Sequence, residues 1–246
     1  MSGGESAVDL AGIENYLGVR FSEPDLGRLA ARPWVSGFSR LEFLGDAILG
    51  LAVFSAAELI GLARTTAISR VSNDHLDDVF NVRLASLTSA NTGDVIEALI
   101  GAVHLDLGFG AAAAVARRLC LPEATGDGQP SSEASATLSA RSLAFIGSAV
   151  FSASAADHLC TQYPNAPHRW LSERRAAMLA RRRLAAISVD LGYSPDGDLE
   201  NETFRASAAN ALEVVLGDQF YRWGWEEARA SAMRVADLNP PRRSND

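Results

Sequence analysis

Glu42 and Asp46 stand one helical turn apart inside a stretch, Leu41 to Phe54, that is otherwise almost wholly apolar. Asp94 and Glu97 stand three residues apart, just ahead of Ala98-Leu99-Ile100-Gly101-Ala102-Val103. Helix positions i and i+4, or i and i+3, share a face. Taking a carboxylate out of water is costly unless something compensates it. Two apolar helices, each offering two acids on one face, therefore fit a cleft at which those faces meet. Four carboxylates there repel one another and raise their own pKa values unless a divalent cation neutralises them. Oxygen donors without neighbouring Cys or His suit Mg2+ or Mn2+ rather than zinc. Sites of that kind serve phosphoryl chemistry, activating water and steadying the leaving oxygen. The bland alternative is a solvated helix edge, and the recurrence of the acid pair in apolar surroundings weighs against it.

The elements that must position these acids read as helices. Ala-, Leu- and Arg-rich stretches such as Ser172 to Asp190 favour helix, and no segment carries the sustained β-branched alternation of a strand. Val35 to Phe38 and Ser194 to Asp198 read as loops. The fold class is all-α. The chain has 246 residues, 48% of them apolar, which suits a globular core rather than disorder. All 22 basic residues are Arg, and with 30 acids the net charge is −8, which argues against gripping nucleic acid by bulk charge. Cys120 and Cys160 are far apart, so neither a disulfide scaffold nor a thiolate metal site is expected, and a reducing cytoplasm is the expected compartment. The first ten residues lack the features of a secretory leader, and the longest apolar run, Ala47 to Ala57, is too short to span a bilayer. No membrane partner is expected.

Two blocks recur in order. Leu41–Ile48 lines up with Leu143–Val150 at an offset of 102, and Asp94–Gly101 with Asn210–Gly217 at an offset of 116. A tandem duplication is predicted: a first domain over 1–122, a linker over 123–138 rich in Gly, Pro, Ser and acids, a second domain over 139–238, and an irregular tail over 239–246. The second copy has little sequence ahead of its first block, so it is expected to have lost the leading helices of the first.

Arg40-Leu41-Glu42-Phe43-Leu44-Gly45-Asp46-Ala47-Ile48-Leu49-Gly50 resembles the signature segment of ribonuclease III, and Asp94 to Asp106 resembles that family's second acidic segment. Tyr163 to Ile187 is similar to the helices between the two segments in bacterial members. The resemblance implies a helical, two-fold dimeric endonuclease that receives double-stranded RNA and holds Mg2+ through four acids. Here the two domains would form an intramolecular pseudo-dimer. By position, the resemblance makes Glu42, Asp46, Asp94 and Glu97 the metal ligands, with Asp46 and Glu97 the catalytic residues expected to be indispensable. In the second copy Ala144, Ser148 and Asn210 stand where Glu42, Asp46 and Asp94 do, and Glu213 alone remains. One carboxylate cannot hold a metal cluster, so a single working centre, nicking one strand, is expected. Past the second copy no sequence is seen for a double-stranded RNA-binding domain of the kind bacterial members carry.

Residues 141–183 hold seven Arg against two acids. Placed on one continuous helix, Arg174, Arg175, Arg181 and Arg182 would form a stripe for RNA phosphates; a solvated face paired with neighbouring acids is the alternative. His75, His104, His158 and His168 share no spacing that suggests chemistry. Phe220, Tyr221, Trp223 and Trp225 suit packing better than base stacking, and Asn73 suggests a helix cap. Three functional readings stay open: a metal-dependent endonuclease on structured RNA, an enzyme acting on a small molecule with the same fold, and a non-catalytic RNA-binding protein. The shape around the four acids, open valley or closed pocket, separates the first two, and metal binding separates both from the third.

Overall fold

The computed structural model describes residues 8–84, 93–121 and 136–238. The expected linker therefore lies almost wholly outside the described residues, and the tail entirely so. Among the described residues there is no strand, and the fold is all-α. The chain divides into two compact units, Met1–Gly128 and Gln129–Asp246. Each is described by itself.

Unit 1 contains α1 (Leu10–Leu17), α2 (Pro24–Ala30), α3 (Phe38–Leu59), α4 (Arg64–Arg70), α5 (Asn73–Arg83) and α6 (Asp94–Cys120). α3 begins one residue earlier than the loop reading allowed. Gly37 takes φ 97°, a left-handed conformation that turns the chain sharply, and Phe38 is then free to bury as the first helical residue. α3 is apolar nearly all round because its neighbours cover nearly all of it: Leu41, Leu44, Ile48, Leu51 and Val53 are fully buried. Its main partner is the first half of α6, where Val95, Ile96, Leu99, Ile100 and Val103 are fully buried too. At Gly108 (φ 83°, ψ 175°) α6 breaks and resumes in a new direction. The cap before α5 is Ser72 rather than Asn73: Ser72 Oγ accepts from His75 N at 3.4 Å.

Ahead of α3, α1 is capped by Asp9, whose Oδ1 accepts from Gly12 N at 2.9 Å, and is ended by Gly18 at φ 62°. Glu14 folds the next turn over it, accepting from Phe21 N at 2.9 Å and pairing with Arg20 at 2.5 Å. The Phe21 N–H, and then Arg20, hold its carboxyl below the usual range. α2 is pinned to α6 by Asp106, which accepts from Ser22 N (2.6 Å) and Glu23 N (3.1 Å).

Unit 2 contains α7 (Ala140–Gln162), α8 (His168–Met178), α9 (Arg181–Asp190) and α10 (Glu202–Leu238). The continuous helix expected over Ser172 to Asp190 is instead two. Met178 and Leu184 are both buried, yet six residues on one helix would set them roughly 120° apart. The extended residue Ala180 (ψ 124°) lets both face the core. α10 breaks at Gly224 (φ 81°, ψ −171°), 116 positions after Gly108 and with nearly the same dihedral angles. Of the four aromatic residues in that stretch, Phe220, Tyr221 and Trp225 are core residues, while Trp223 is exposed. α6 and α7 are long and apolar enough to cross a membrane, but more than half of each apolar window is buried inside the protein, so their apolarity is used in packing.

Candidate metal centre

α3 and α6 touch backbone to backbone. A Cβ on Gly45 would lie 1.7 Å from Glu97 O, and one on Gly101 would lie 2.2 Å from Leu41 O. Only glycine permits that approach. The crossing brings Glu42, on α3, against the first turn of α6, where Asp94 and Glu97 project. Carboxylate oxygens of Glu42, Asp94 and Glu97 all lie within 4.8 Å of one another. Glu97 is buried, Glu42 and Asp94 are half-buried, and Asp46 is exposed.

Two forces act on this cluster. Burial pushes the Glu42 carboxyl above its ordinary pKa, and the charges of Asp94 and then Asp46 push it further the same way. The N-terminus of α6 opposes them, since the first turn of a helix favours negative charge. Asp46 is thus close enough for its charge to reach Glu42 but stands outside the tight group of three. A divalent cation would turn the mutual repulsion into attraction, and an all-oxygen donor set suits a hard one.

One supporting residue was not legible in the sequence. Asp77, on α5, accepts a short hydrogen bond from Gly93 N, the residue that opens α6. It thereby fixes where the helix carrying Asp94 and Glu97 starts. Nothing local marks it apart from its neighbour Asp78; its role exists only once α5 and α6 meet.

Unit 2 repeats the crossing. A Cβ on Gly147 would lie 1.7 Å from Glu213 O, and one on Gly217 would lie 2.1 Å from Leu143 O. Glu213 is buried, and burial raises its pKa, opposed by the charge of Arg181 and by a hydrogen bond with Ser148. Arg181 Nη1 donates to Asn210 Oδ1 at 2.8 Å and lies 3.7 Å from Glu213 Oε2. The chain's own guanidinium thus meets the last acid of this cluster.

The expected basic stripe is redistributed. Arg174 and Arg175 belong to α8, while Arg181 and Arg182 open α9 after the break. Arg181 is engaged with Asn210 and Glu213, and Arg182 pairs with Glu200. Among the histidines, His104 is buried in contact with Phe109 (ring centroids 6.4 Å apart), and His168 is exposed. Cys120 and Cys160 are buried free thiols; burial pushes Cys120 up to about 12, which makes it inert.

The family model described as the Ribonuclease III domain matches residues 141–233. A protein named Ribonuclease 3 from Methylocella silvestris is 32% identical over 161 residues, covering 54% of this chain and 68% of that protein. One of the same name from Rhodopseudomonas palustris is 33% identical over 144 residues, covering 46% and 53%. Another, from Corynebacterium glutamicum, is 34% identical over 100 residues, covering 38% and 40%. The chain thus spans about half the length of the curated relatives it matches.

Proposed function

Because the chain belongs to the ribonuclease III family, we propose that it is a divalent-metal-dependent endonuclease that cuts structured or double-stranded RNA at one centre, in unit 1. The observation that carries this reading is the gathering of Glu42, Asp94 and Glu97 at the α3–α6 crossing, with Asp46 one turn along α3. These residues would hold Mg2+ or Mn2+, which when bound activates water and stabilises the leaving oxygen of a phosphodiester. The chain's own part is positional. The glycine crossing sets the spacing of the acids, Asp77 sets the start of α6, and Glu97, the most buried of the four, is the ligand least able to move. Asp46, exposed at the edge, is placed to meet solvent and substrate.

Unit 2 is read as a second copy of the same helical design that has lost its metal. The matching glycine crossings, the matching breaks at Gly108 and Gly224, and the pair of shorter helices between the long ones support a duplication. Ala144, Ser148 and Asn210 remove three carboxylates, and Arg181 supplies the positive charge that Glu213 still needs. In this reading the units pair as an intramolecular pseudo-dimer with one working centre, and Arg174 and Arg175 contact RNA phosphates. Buried free thiols suit a reducing cytoplasm.

The test is a duplex RNA labelled on each strand. The wild type should nick one strand in Mg2+ or Mn2+, and Glu97→Gln should abolish cutting with an unchanged melting temperature. Intact duplexes across full titrations of both metals would refute the nuclease reading.

A further inference from the structure

Asp94 and Glu97 ride on the first turn of α6, and the ends of a helix are where it frays. Gly93, at the N-cap, has no side chain with which to close that end. The turn is instead held at both ends by other helices. At the far end, the glycine crossing sets α3 against the Glu97 carbonyl. At the near end, Asp77 Oδ1 on α5 accepts from Gly93 N. The Gly93 carbonyl in turn accepts from Ile96 N at 2.8 Å and from Glu97 N at 3.4 Å. A chain of hydrogen bonds thus runs from Asp77 through Gly93 to the backbone of Glu97. Packing reinforces it: a Cβ on Gly93 would lie 2.8 Å from Leu76 Cβ and 2.9 Å from Asp77 N, neither of which can swing aside.

Unit 2 separates the two restraints. It keeps the far one, since Gly147 meets the Glu213 carbonyl as closely as Gly45 meets that of Glu97. That crossing therefore serves packing, with or without a full set of acids. Unit 2 has neither half of the near restraint. The offset of 116 that relates Glu97 to Glu213 sets Ala209 opposite Gly93. Aligning α5 and α9 on their first residues, Asn73 and Arg181, pairs Leu76 with Leu184 and Phe80 with Ser188, all four buried. Ala185 then stands opposite Asp77. α10 begins at Glu202, so the turn from Ala209 to Glu213 lies inside a continuous helix and needs no outside holder. In unit 1 the helix begins at the acid-bearing turn. Its free N–H groups then favour the charge there, but the turn is left open to fraying. The Asp77 contact occurs where the acids sit on a helix end and is absent where they do not.

We infer that Asp77 is a positioning residue of the metal centre: by holding Gly93 it fixes the spacing of Asp94 and Glu97, and so makes the site select a small cation. Asp77 is not one of the three carboxylates that meet within 4.8 Å; it acts through Gly93. Mg2+ demands near-ideal octahedral geometry, whereas Ca2+ tolerates varied ligand number and distance. Loosening the turn therefore penalises Mg2+ more than Ca2+. The inference rests on the reading that Glu42, Asp94 and Glu97 hold a divalent cation.

The test uses the full chain. Free Mn2+, followed by its electron paramagnetic resonance signal, gives the Mn2+ affinity, and displacement gives those of Mg2+ and Ca2+. Asp77→Ala should lower Mg2+ affinity about tenfold and Ca2+ affinity by less than about threefold. Asp77→Asn keeps an acceptor oxygen in place without the charge and should stay within about threefold of the wild type for both ions. Asp78→Ala, at the exposed neighbour, should change neither. By amide hydrogen exchange, Gly93 N–H should be protected in the metal-free wild type and in Asp77→Asn, and unprotected in Asp77→Ala. Equal losses of Mg2+ and Ca2+ affinity in Asp77→Ala, no loss of either, or an Asp77→Asn variant as impaired as Asp77→Ala would overturn the inference. So would a Gly93 amide that exchanges freely in the wild type, a measurement that stands even if Asp77→Ala does not fold. A wild type that binds no Mn2+ would instead sink the metal centre itself, and this role with it.

Discussion

Gly45→Ala and Gly147→Ala impose the same steric insult on two sites that differ in chemistry. In each case the new methyl would lie 1.7 Å from a backbone oxygen, of Glu97 or of Glu213, where ordinary contact begins at 3.4 Å. The obstacle is backbone, so no side chain can swing aside. The two helices must part locally by roughly 1.7 Å, at the upper end of overpacking costs, about 3 kcal/mol. Alanine returns about 1 kcal/mol through its better helix propensity. The net loss is therefore about 2 kcal/mol, or roughly 5–10 °C in the melting temperature of the affected unit. For Gly45→Ala the same parting carries Glu42 away from Asp94 and Glu97, whose oxygens lie within 4.8 Å of it. Mg2+ demands near-ideal geometry, so its affinity should fall about 100-fold. Gly147→Ala should be equally destabilising and should leave metal binding untouched. Calorimetric titration with Mn2+, beside thermal melts of both variants, reads the two effects separately. Equal loss of metal affinity in both variants, or wild-type affinity in Gly45→Ala, would refute the reasoning.

Glu42 has a raised pKa in the folded chain, so the native state holds its proton longer than the unfolded state does. The metal-free protein should then lose stability as pH rises from about 4.5 through the raised value. Glu42→Gln should make the metal-free chain more stable near neutral pH, with the difference vanishing below about pH 4.5; urea denaturation across that range checks it. Arg181→Met removes the cation facing Glu213 and should cost about 1–2 kcal/mol. The loss should be larger at pH 8 than at pH 5, because protonation of Glu213 relieves it at the lower pH; denaturation at the two values decides. Arg174→Ala with Arg175→Ala should flatten the salt dependence of RNA binding by up to about 1.5 in logarithmic slope. An unchanged slope would remove α8 from the RNA interface.

The acid pairs were legible because charge inside an apolar helical run is a local anomaly that spacing alone exposes. The helical class was legible for a similar reason, through an Ala/Leu/Arg-rich composition and an absence of alternation. The break between α8 and α9 was not. Helix propensity through Leu179 and Ala180 is high, and only the need to bury Met178 and Leu184 on one core overrides it. Asn73 looked like a cap because of its type, while the geometry of the turn handed that role to Ser72.

By itself, the sequence determined that four carboxylates ride on two apolar helices, that the pattern recurs, and that the second copy lacks three of them. Those are properties of residue type and spacing along one element. Tertiary structure decided what each charge faces. Arg181 reaches Asn210 across 29 positions and Asp77 reaches Gly93 across 16, contacts that depend on how helices cross rather than on any local preference. The same holds for the glycines. Gly45 and Gly147 are weak helix formers in any sequence-based reading, and they become necessary only where two backbones approach too closely for a methyl group.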